Sequence, residues 1–292
     1  MSYYLYRMEA VHNIRRNGDG ALLAGMRTID GTSEWHRAPL YAVVHLRSGS
    51  AVLETGRTTF SLQAPVLLFF TPYQEYAFHG AFSGSHLSFH GDFYCIEKHR
   101  HEVACNGVLF NNIYTPPFVP LDEEQAAQAA KYLELLQAAM SGRDDLGRED
   151  LVIAHLKILL IIATRVKSRQ IAETLTQLPA DAGPRLAQFH HLLEAYFKEW
   201  KKPAEYAAAM HITLKALSRL TSKYLSKTPS ALIAERVVQE AKRALHFSHL
   251  SVKEIAAALG YDDPLYLSRL FRKQTGVSPR EFRQQVGVVL LV

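Results

Sequence analysis

The period of the apolar positions changes partway along this chain, and the change divides it. From residue 21 to about 110, apolar and β-branched residues fall in short runs, at 41–46, 51–54, 58–62 and 66–71. The runs are separated by Arg47-Ser48-Gly49-Ser50, Thr55-Gly56-Arg57 and Gln63-Ala64-Pro65. Short runs with turn residues every eight to twelve positions predict an antiparallel sandwich or barrel. Tyr114-Thr115-Pro116-Pro117-Phe118-Val119-Pro120 then breaks regular structure, and beyond it the period becomes helical. One helix opens at Leu121-Asp122-Glu123-Glu124, with acids where the helix dipole favours them, and carries a stripe of Tyr132, Leu133, Leu135, Leu136 and Met140. A second, over about 148–170, is apolar on more than one face around 158–162. Such a helix must be covered on several sides, by its own subunit or by a second copy. Leu178-Pro179-Ala180-Asp181-Ala182-Gly183-Pro184 reads as a linker, and Leu186, Phe189, Leu192, Leu193 and Phe197 form the core stripe of the helix after it.

The last third repeats itself. Leu217-Ser218-Arg219-Leu220 returns as Leu267-Ser268-Arg269-Leu270, and Thr228-Pro229 as Ser278-Pro279, both fifty residues later. Upstream, Glu205-Tyr206-Ala207-Ala208-Ala209-Met210 is echoed by Glu254-Ile255-Ala256-Ala257-Ala258-Leu259, one residue out of step. Each copy reads as a slim Ala-rich helix, a tight turn and a second helix with an outward Arg, the parts a helix-turn-helix needs to enter a DNA groove. In the second copy Ser251-Val252-Lys253-Glu254 is a capping box, Gly260 ends the first helix, and Asp263 and Pro264 start the next. Leu267, Leu270 and Phe271 face inward there, and Leu214, Leu217 and Leu220 in the first copy. The helix joining the copies starts at Pro229 and spans about 26 Å at 1.5 Å per residue, which brings the two second helices about one DNA turn apart.

The combination Ile255-Ala256, Gly260-Tyr261, Leu270-Phe271-Arg272-Lys273, Gly276 and Ser278-Pro279, with Arg236, Ala241 and Leu245 on the joining helix, resembles the DNA-binding domain of the AraC/XylS family of bacterial transcription regulators. The resemblance covers residues 185–285. It departs at Ser226, where the second copy has Gly276, and at Leu267, where the family often has an aromatic. It implies that Lys215, Ser218 and Arg219 face base edges from one helix and Leu265, Ser268 and Arg269 from the other. Lys223, Arg272 and Lys273 would then hold phosphates. It further implies a cupin-like N-terminal barrel that binds a small-molecule effector, a homodimer on double-stranded DNA, and RNA polymerase among the partners such a regulator can touch. The expected fold is α+β in two domains, an antiparallel barrel with a helical segment and an all-α tandem helix-turn-helix. The expected boundaries are 1–120 for the sensor, 121–178 for a helical linker and dimerisation region, and 185–286 for the DNA-binding domain.

Charge supports this division. Residues 185–285 hold 17 Lys/Arg against 9 Asp/Glu, while the net charge of the whole chain is +5, so the basic excess lies in the repeat. Hydrophobic content of 48% excludes a disordered bulk. Two cysteines, Cys95 and Cys105, make no disulfide framework and read as buried thiols. The N-terminus lacks a basic and an apolar region, and the apolar stretch at 151–163 contains His155 and Lys157, so a cytoplasmic protein is expected. Trp35, His36, Tyr41, Tyr73, Tyr76 and His79 are candidates to line a ligand pocket. His36, His45, His79, His86, His90, His99 and His101 lack metal-ligand spacing except His99-Arg100-His101, which reads as exposed, so no metal or cofactor and no enzyme activity is expected. The alternative reading is a metal-dependent cupin enzyme with an accessory nucleic-acid-binding domain, and a third is a nonspecific nucleic-acid packaging protein. The apolar tail 286–292 is expected to dock on a neighbouring surface or to promote association.

Overall fold

A computed structural model describes residues 12–15, 22–56, 58–96, 107–110, 112–142 and 146–286. His99, His101, Cys105 and residues 287–292 of the apolar tail lie outside them. The chain divides into two compact units, Met1–Asn111 with Pro117–Ser168, and Asn112–Pro116 with Arg169–Val292.

The first unit is built on seven strands: β1 (His12–Arg15), β2 (Leu22–Asp30), β3 (Tyr41–Thr55), β4 (Thr58–Gln63), β5 (Val66–Phe70), β6 (Ala77–Phe89) and β7 (Phe118–Pro120). All pairings are antiparallel, in the order β1-β2-β6-β3-β5-β7, with β4 beside β3. One edge of β3 runs along β6, while the other is shared, Ala42 to Leu46 pairing with β5 and Ser50 to Thr55 with β4. The turn expected at Arg47-Ser48-Gly49-Ser50 is therefore a bend inside one fifteen-residue strand. Its register with β6 shifts between Leu46 and Ser48, and Gly49 takes φ +87°, where a Cβ would sit 2.1 Å from the Ala81 carbonyl oxygen. Only glycine allows the strands to approach so closely. Antiparallel pairing is as expected, but β1 and β7 end the path without pairing to each other, so the described strands form an open sheet.

Alternation along the strands gives this sheet two apolar faces. Val43, Leu67, Phe69, Leu87 and Phe89 point to one side, where they join α1 (Glu123–Ser141) and the first part of α2 (Arg148–Gln177) through Leu133, Leu136, Met140, Leu156, Leu159 and Leu160. The apolar helix thus buries one side within its own subunit, while Leu151 and Ile158 stay exposed at 50% and 36%. Leu135, expected in the α1 stripe, is also exposed, and Ala129 and Ala139 are buried in that stripe instead. Ala42, Val44, Leu46, Val66, Leu68 and Phe70 point to the other face, which Tyr76, Phe78 and Phe82 fill.

The second unit is helical: α3 (Ala182–Tyr196), α4 (Pro203–Ala209), α5 (Leu214–Leu225), α6 (Pro229–Phe247), α7 (Val252–Ala258), α8 (Pro264–Thr275) and α9 (Pro279–Val286). α3 begins inside the expected linker, at Ala182, and buries Leu186, Phe189 and Leu193. The sequence echo is an echo of structure, since α5 and α8 are each twelve residues long and start fifty residues apart.

Candidate functional site

Each copy of the repeat is assembled by its caps. In the second, the Ser251 hydroxyl accepts from the Glu254 amide at 3.2 Å and the Glu254 carboxylate accepts from the Ser251 amide at 2.7 Å, the expected capping box. Gly260 closes α7 at φ +74°, and a Cβ there would lie 1.9 Å from the Lys198 carbonyl oxygen. Lys201 fastens the same turn, its ammonium donating to the carbonyls of Phe197, Lys198 and Leu259 at 2.6–2.7 Å. Asp263 then caps α8 by accepting from the Leu265 amide at 2.8 Å, with Pro264 at the first helical position.

In the first copy the Glu205 carboxylate accepts from the Lys202 amide at 2.7 Å, and Thr213 caps α5 through the Ala216 amide at 3.1 Å. His211 takes the left-handed conformation (φ 53°) that Gly260 takes in the second copy. From His211 to the cap Thr213 is two residues, and from Gly260 to the cap Asp263 is three. That single inserted residue is why the upstream echo runs one out of step. Ser226, the departure at the end of α5, adopts φ 55° and makes the same left-handed C-cap as Gly276 at φ 71°. The turn is kept, and the serine carries the strain.

Leu217 and Thr221 in α5, and Leu267, Phe271 and Thr275 in α8, are the buried side of each second helix. Leu214 is 47% exposed, contrary to its expected place in the core, because it begins the helix ahead of the packed face. Leu220 and Leu270 are half-buried. The polar Thr275 is tolerated inside because its hydroxyl donates to the Phe271 carbonyl at 2.8 Å.

The opposite side carries the expected readers. Lys215, Arg219 and Lys223 are exposed on α5, as are Leu265, Arg269, Arg272 and Lys273 on α8. Ser218 and Ser268 are half-buried, and the Ser268 hydroxyl donates to the Pro264 carbonyl at 2.9 Å. Arg269 Nη2 lies 3.5 Å from Asp263 Oδ2, so the residue that caps α8 also orients its arginine. Thr213, the cap of α5, offers Arg219 no carboxylate. Tyr266 was not singled out by the sequence, yet it stands 53% exposed beside Leu265 and stacks on Tyr261 at 5.5 Å. Arg236 has a different role: it pairs with Glu194 at 2.8 Å and Glu240 at 3.0 Å and lies over the Phe197 ring at 4.0 Å, clamping α3 to α6.

In the first unit the candidate pocket residues separate. His36 and Tyr76 meet, joined by a β-bridge and stacked at 5.1 Å. Trp35 is 53% exposed. Tyr41 turns to the helix-covered face and stacks on Phe89 at 5.3 Å. Tyr73 is buried at φ 61°, and His79 lies 3.5 Å from Glu54 at a half-exposed edge. His36 and Tyr76 are instead joined by Arg27 and His86, cross-strand neighbours on β2 and β6 that no sequence spacing links. Tyr76 Oη is 2.7 Å from His86 Nε2, the His36 and His86 rings stack at 5.5 Å, and Arg27 Nη2 reaches the His36 ring at 3.4 Å. Burial, then the Arg27 charge, lowers the His36 pKa to about 4 and holds His86 well below its usual value. A hollow of about 10 Å³, room for roughly one water, is lined by His36, Thr71, Gln74, Tyr76, His86 and Ser88, among others. Among the described residues no three His, Cys, Asp or Glu side chains gather as metal ligands, and no helix is long and apolar enough to cross a membrane.

Residues 206–285 match the family described as a helix-turn-helix domain. The uncharacterized HTH-type transcriptional regulator YisR of Bacillus subtilis is 32% identical over 95 residues, covering 32% of this chain and 33% of YisR. The HTH-type transcriptional activator RhaS of Salmonella arizonae is 25% identical over 174 residues, 59% of each chain. The chain thus spans between a third and three-fifths of the length of these curated relatives. Among solved structures, unsaturated fatty acid bound ToxT from Vibrio cholerae is 13% identical with a TM-score of 0.42, covering 92% of this chain and 97% of that one. An AraC-type regulator from Chromobacterium violaceum is 27% identical with a TM-score of 0.34, covering 37% of this chain and 97% of that one.

Proposed function

We propose that the chain is a member of the AraC/XylS family of transcription regulators, a sequence-specific DNA-binding regulator whose first unit senses a small-molecule effector. The observation that carries the DNA-binding reading is the repeated pair α5 and α8. Two helices of equal length bury the same Leu, Leu217 and Leu267, and present a Ser-Arg pair at the same register, with different neighbours. In this reading Lys215, Ser218 and Arg219 read one major-groove segment and Leu265, Ser268 and Arg269 the next. Lys223, Arg272 and Lys273 hold phosphates, which fix position without reading sequence. The basic excess of residues 185–285 supplies the nonspecific attraction.

The test is selection of bound sequences from a randomised DNA pool by the wild type, Arg219→Ala and Arg269→Ala. Each variant is expected to lose about 1–3 kcal/mol of discrimination at its own base position and to keep it elsewhere. Uniform weakening across all sequences would favour a packaging protein instead.

The effector reading rests on the sheet face away from α1 and α2, where His36, Gln74, Tyr76 and His86 help to line a small hollow beside an apolar core. Polar groups converging in such a place are how ligand sites are built. Residues 121–178 are read as the dimerisation region, with the exposed Leu151 and Ile158 of α2 as its contact stripe. A cytoplasmic site of action follows from the DNA partner, and RNA polymerase is a further partner open to an activator. No enzymatic role is proposed.

A further inference from the structure

We propose that α8 reads thymine by its C5-methyl group, through an apolar pad formed by Leu265 and Tyr266, a proposal that rests on reading α8 as a base-reading helix. In the helical unit these two are the most exposed large apolar side chains among the described residues, at 68% and 53%. A single exposed leucine needs no explanation. Here two apolar side chains stand together in the first turn of a helix whose outer face is otherwise cationic, with Arg269, Arg272 and Lys273 exposed along it. A polyanion is the partner that such surroundings attract. Residues three and four apart are neighbours on a helix, so Leu265 and Tyr266 lie one turn before Arg269 and to either side of it. Leu267 and Phe271 hold the opposite side in the core.

The pad is fixed before anything binds. The Leu265 amide donates to Asp263 Oδ1 at 2.8 Å, which sets the start of the helix, and Asp263 Oδ2 lies 3.5 Å from Arg269 Nη2. The Tyr266 ring stacks on Tyr261, with centroids 5.5 Å apart and planes at 21°. Tyr261 in turn has the Lys201 ammonium 4.6 Å from its ring centroid, and Lys201 is tied to three backbone carbonyls. A side chain ordered in advance gives up little conformational entropy on binding. What the pad can match is decided by the groove. Base edges there present donors and acceptors, and the C5-methyl of thymine is the apolar group among them. Leu265 or the Tyr266 ring set against a guanine or adenine edge would desolvate polar atoms and return no hydrogen bond. Arg269 suits guanine O6 and N7. One helical turn is about 5.4 Å and one base-pair step about 3.4 Å, so the segment under α8 is a guanine with thymine about one or two base pairs away. α5 has Lys215 and Ala216 at the same two positions, a cation and a single methyl, and makes no comparable pad.

The experiment uses the full chain and the duplex selected from the randomised pool. The base pair whose preference relaxes in Arg269→Ala marks the segment under α8. Thymines within about two base pairs of it are replaced one at a time by deoxyuridine, which removes only the methyl group. Affinity is read by fluorescence anisotropy of the labelled duplex at one fixed salt concentration, and thermal unfolding establishes that each variant is folded. Loss of a methyl that meets the pad is expected to weaken wild-type binding by about fourfold. Leu265→Ala/Tyr266→Ala is expected to bind the thymine and uracil duplexes equally, while Tyr266→Phe, which keeps the ring, retains the fourfold difference. The proposal is overturned if the selected sequences hold no thymine in that window, if wild type binds uracil as well as thymine there, or if the difference survives in the double variant. It is also overturned if the double variant binds the selected duplex as tightly as wild type, since the pad then faces something other than DNA. The base-reading premise fails separately, if Arg269→Ala weakens all sequences uniformly and relaxes no position.

Discussion

Mild acid should destabilise the sheet unit through two histidines. Burial first, and then Arg27 beside His36 and Arg47 beside His45, lower both pKa values from 6.5 to about 4. In the unfolded chain each imidazole takes a proton as pH falls through 6.5, while in the folded chain it stays neutral until about 4. The unfolded state therefore binds more protons across that window, and stability present above pH 6.5 is lost as pH drops towards 4. Each pH unit inside the window costs about 1.4 kcal/mol per histidine. At pH 5 the loss is about 2 kcal/mol each and about 4 kcal/mol together, set against a total of roughly 5–15 kcal/mol for a domain. His86, fully buried beside them, acts in the same direction. The assay is urea unfolding at pH 7 and pH 5 in a Trp200→Phe background, which leaves Trp35 as the fluorescent reporter in the sheet unit. Substituting both histidines by Gln should remove about 4 kcal/mol of the difference between the two pH values, because contributions from carboxylates are common to both proteins. If wild type and His36→Gln/His45→Gln lose the same stability between pH 7 and pH 5, the imidazoles are not held neutral and the reasoning fails.

Three other outcomes follow from the helical unit. Gly260→Ala adds a left-handed penalty of about 1–2 kcal/mol and a Cβ 1.9 Å from the Lys198 oxygen, so thermal unfolding should show a loss of several kcal/mol, roughly 2–5. Ser226→Gly relieves the same left-handed strain at φ 55° and should raise stability by about 1 kcal/mol in denaturant titration. Asp263→Asn keeps the α8 cap but removes the charge facing Arg269; helix stability should hold within about 0.5 kcal/mol while base preference at the Arg269 position relaxes in sequence selection. An unchanged preference in that variant would show that Asp263 does no more than cap the helix.

The second unit could be read from the chain because its information is local. Capping boxes, the Gly260 stop, Pro264 and Pro279 at helix starts, and the fifty-residue register all act within one or two turns. The one residue misplaced there, Leu214, sits at a helix end, where the phase of the apolar stripe no longer decides burial. In the first unit the sequence predicted antiparallel strands and marked the runs that became β3, β4 and β5, but it singled out neither β2 nor β6 and could not say which strands are neighbours. It took Arg47-Ser48-Gly49-Ser50 for a turn, because a glycine that lets two strands approach and a glycine that reverses the chain look alike in sequence.

The sequence by itself therefore determined the tandem repeat, its caps and the outward Lys and Arg positions, since helix periodicity and end chemistry operate over a few residues. Only the tertiary structure placed Tyr41 with Phe89 on one face of the sheet and Arg27 with His86, Tyr76 and His36 on the other. The reason is geometric: a strand tells which residues alternate, but which strands become neighbours, and so which side chains meet, is decided by contacts between segments as far apart in sequence as Arg27 and His86.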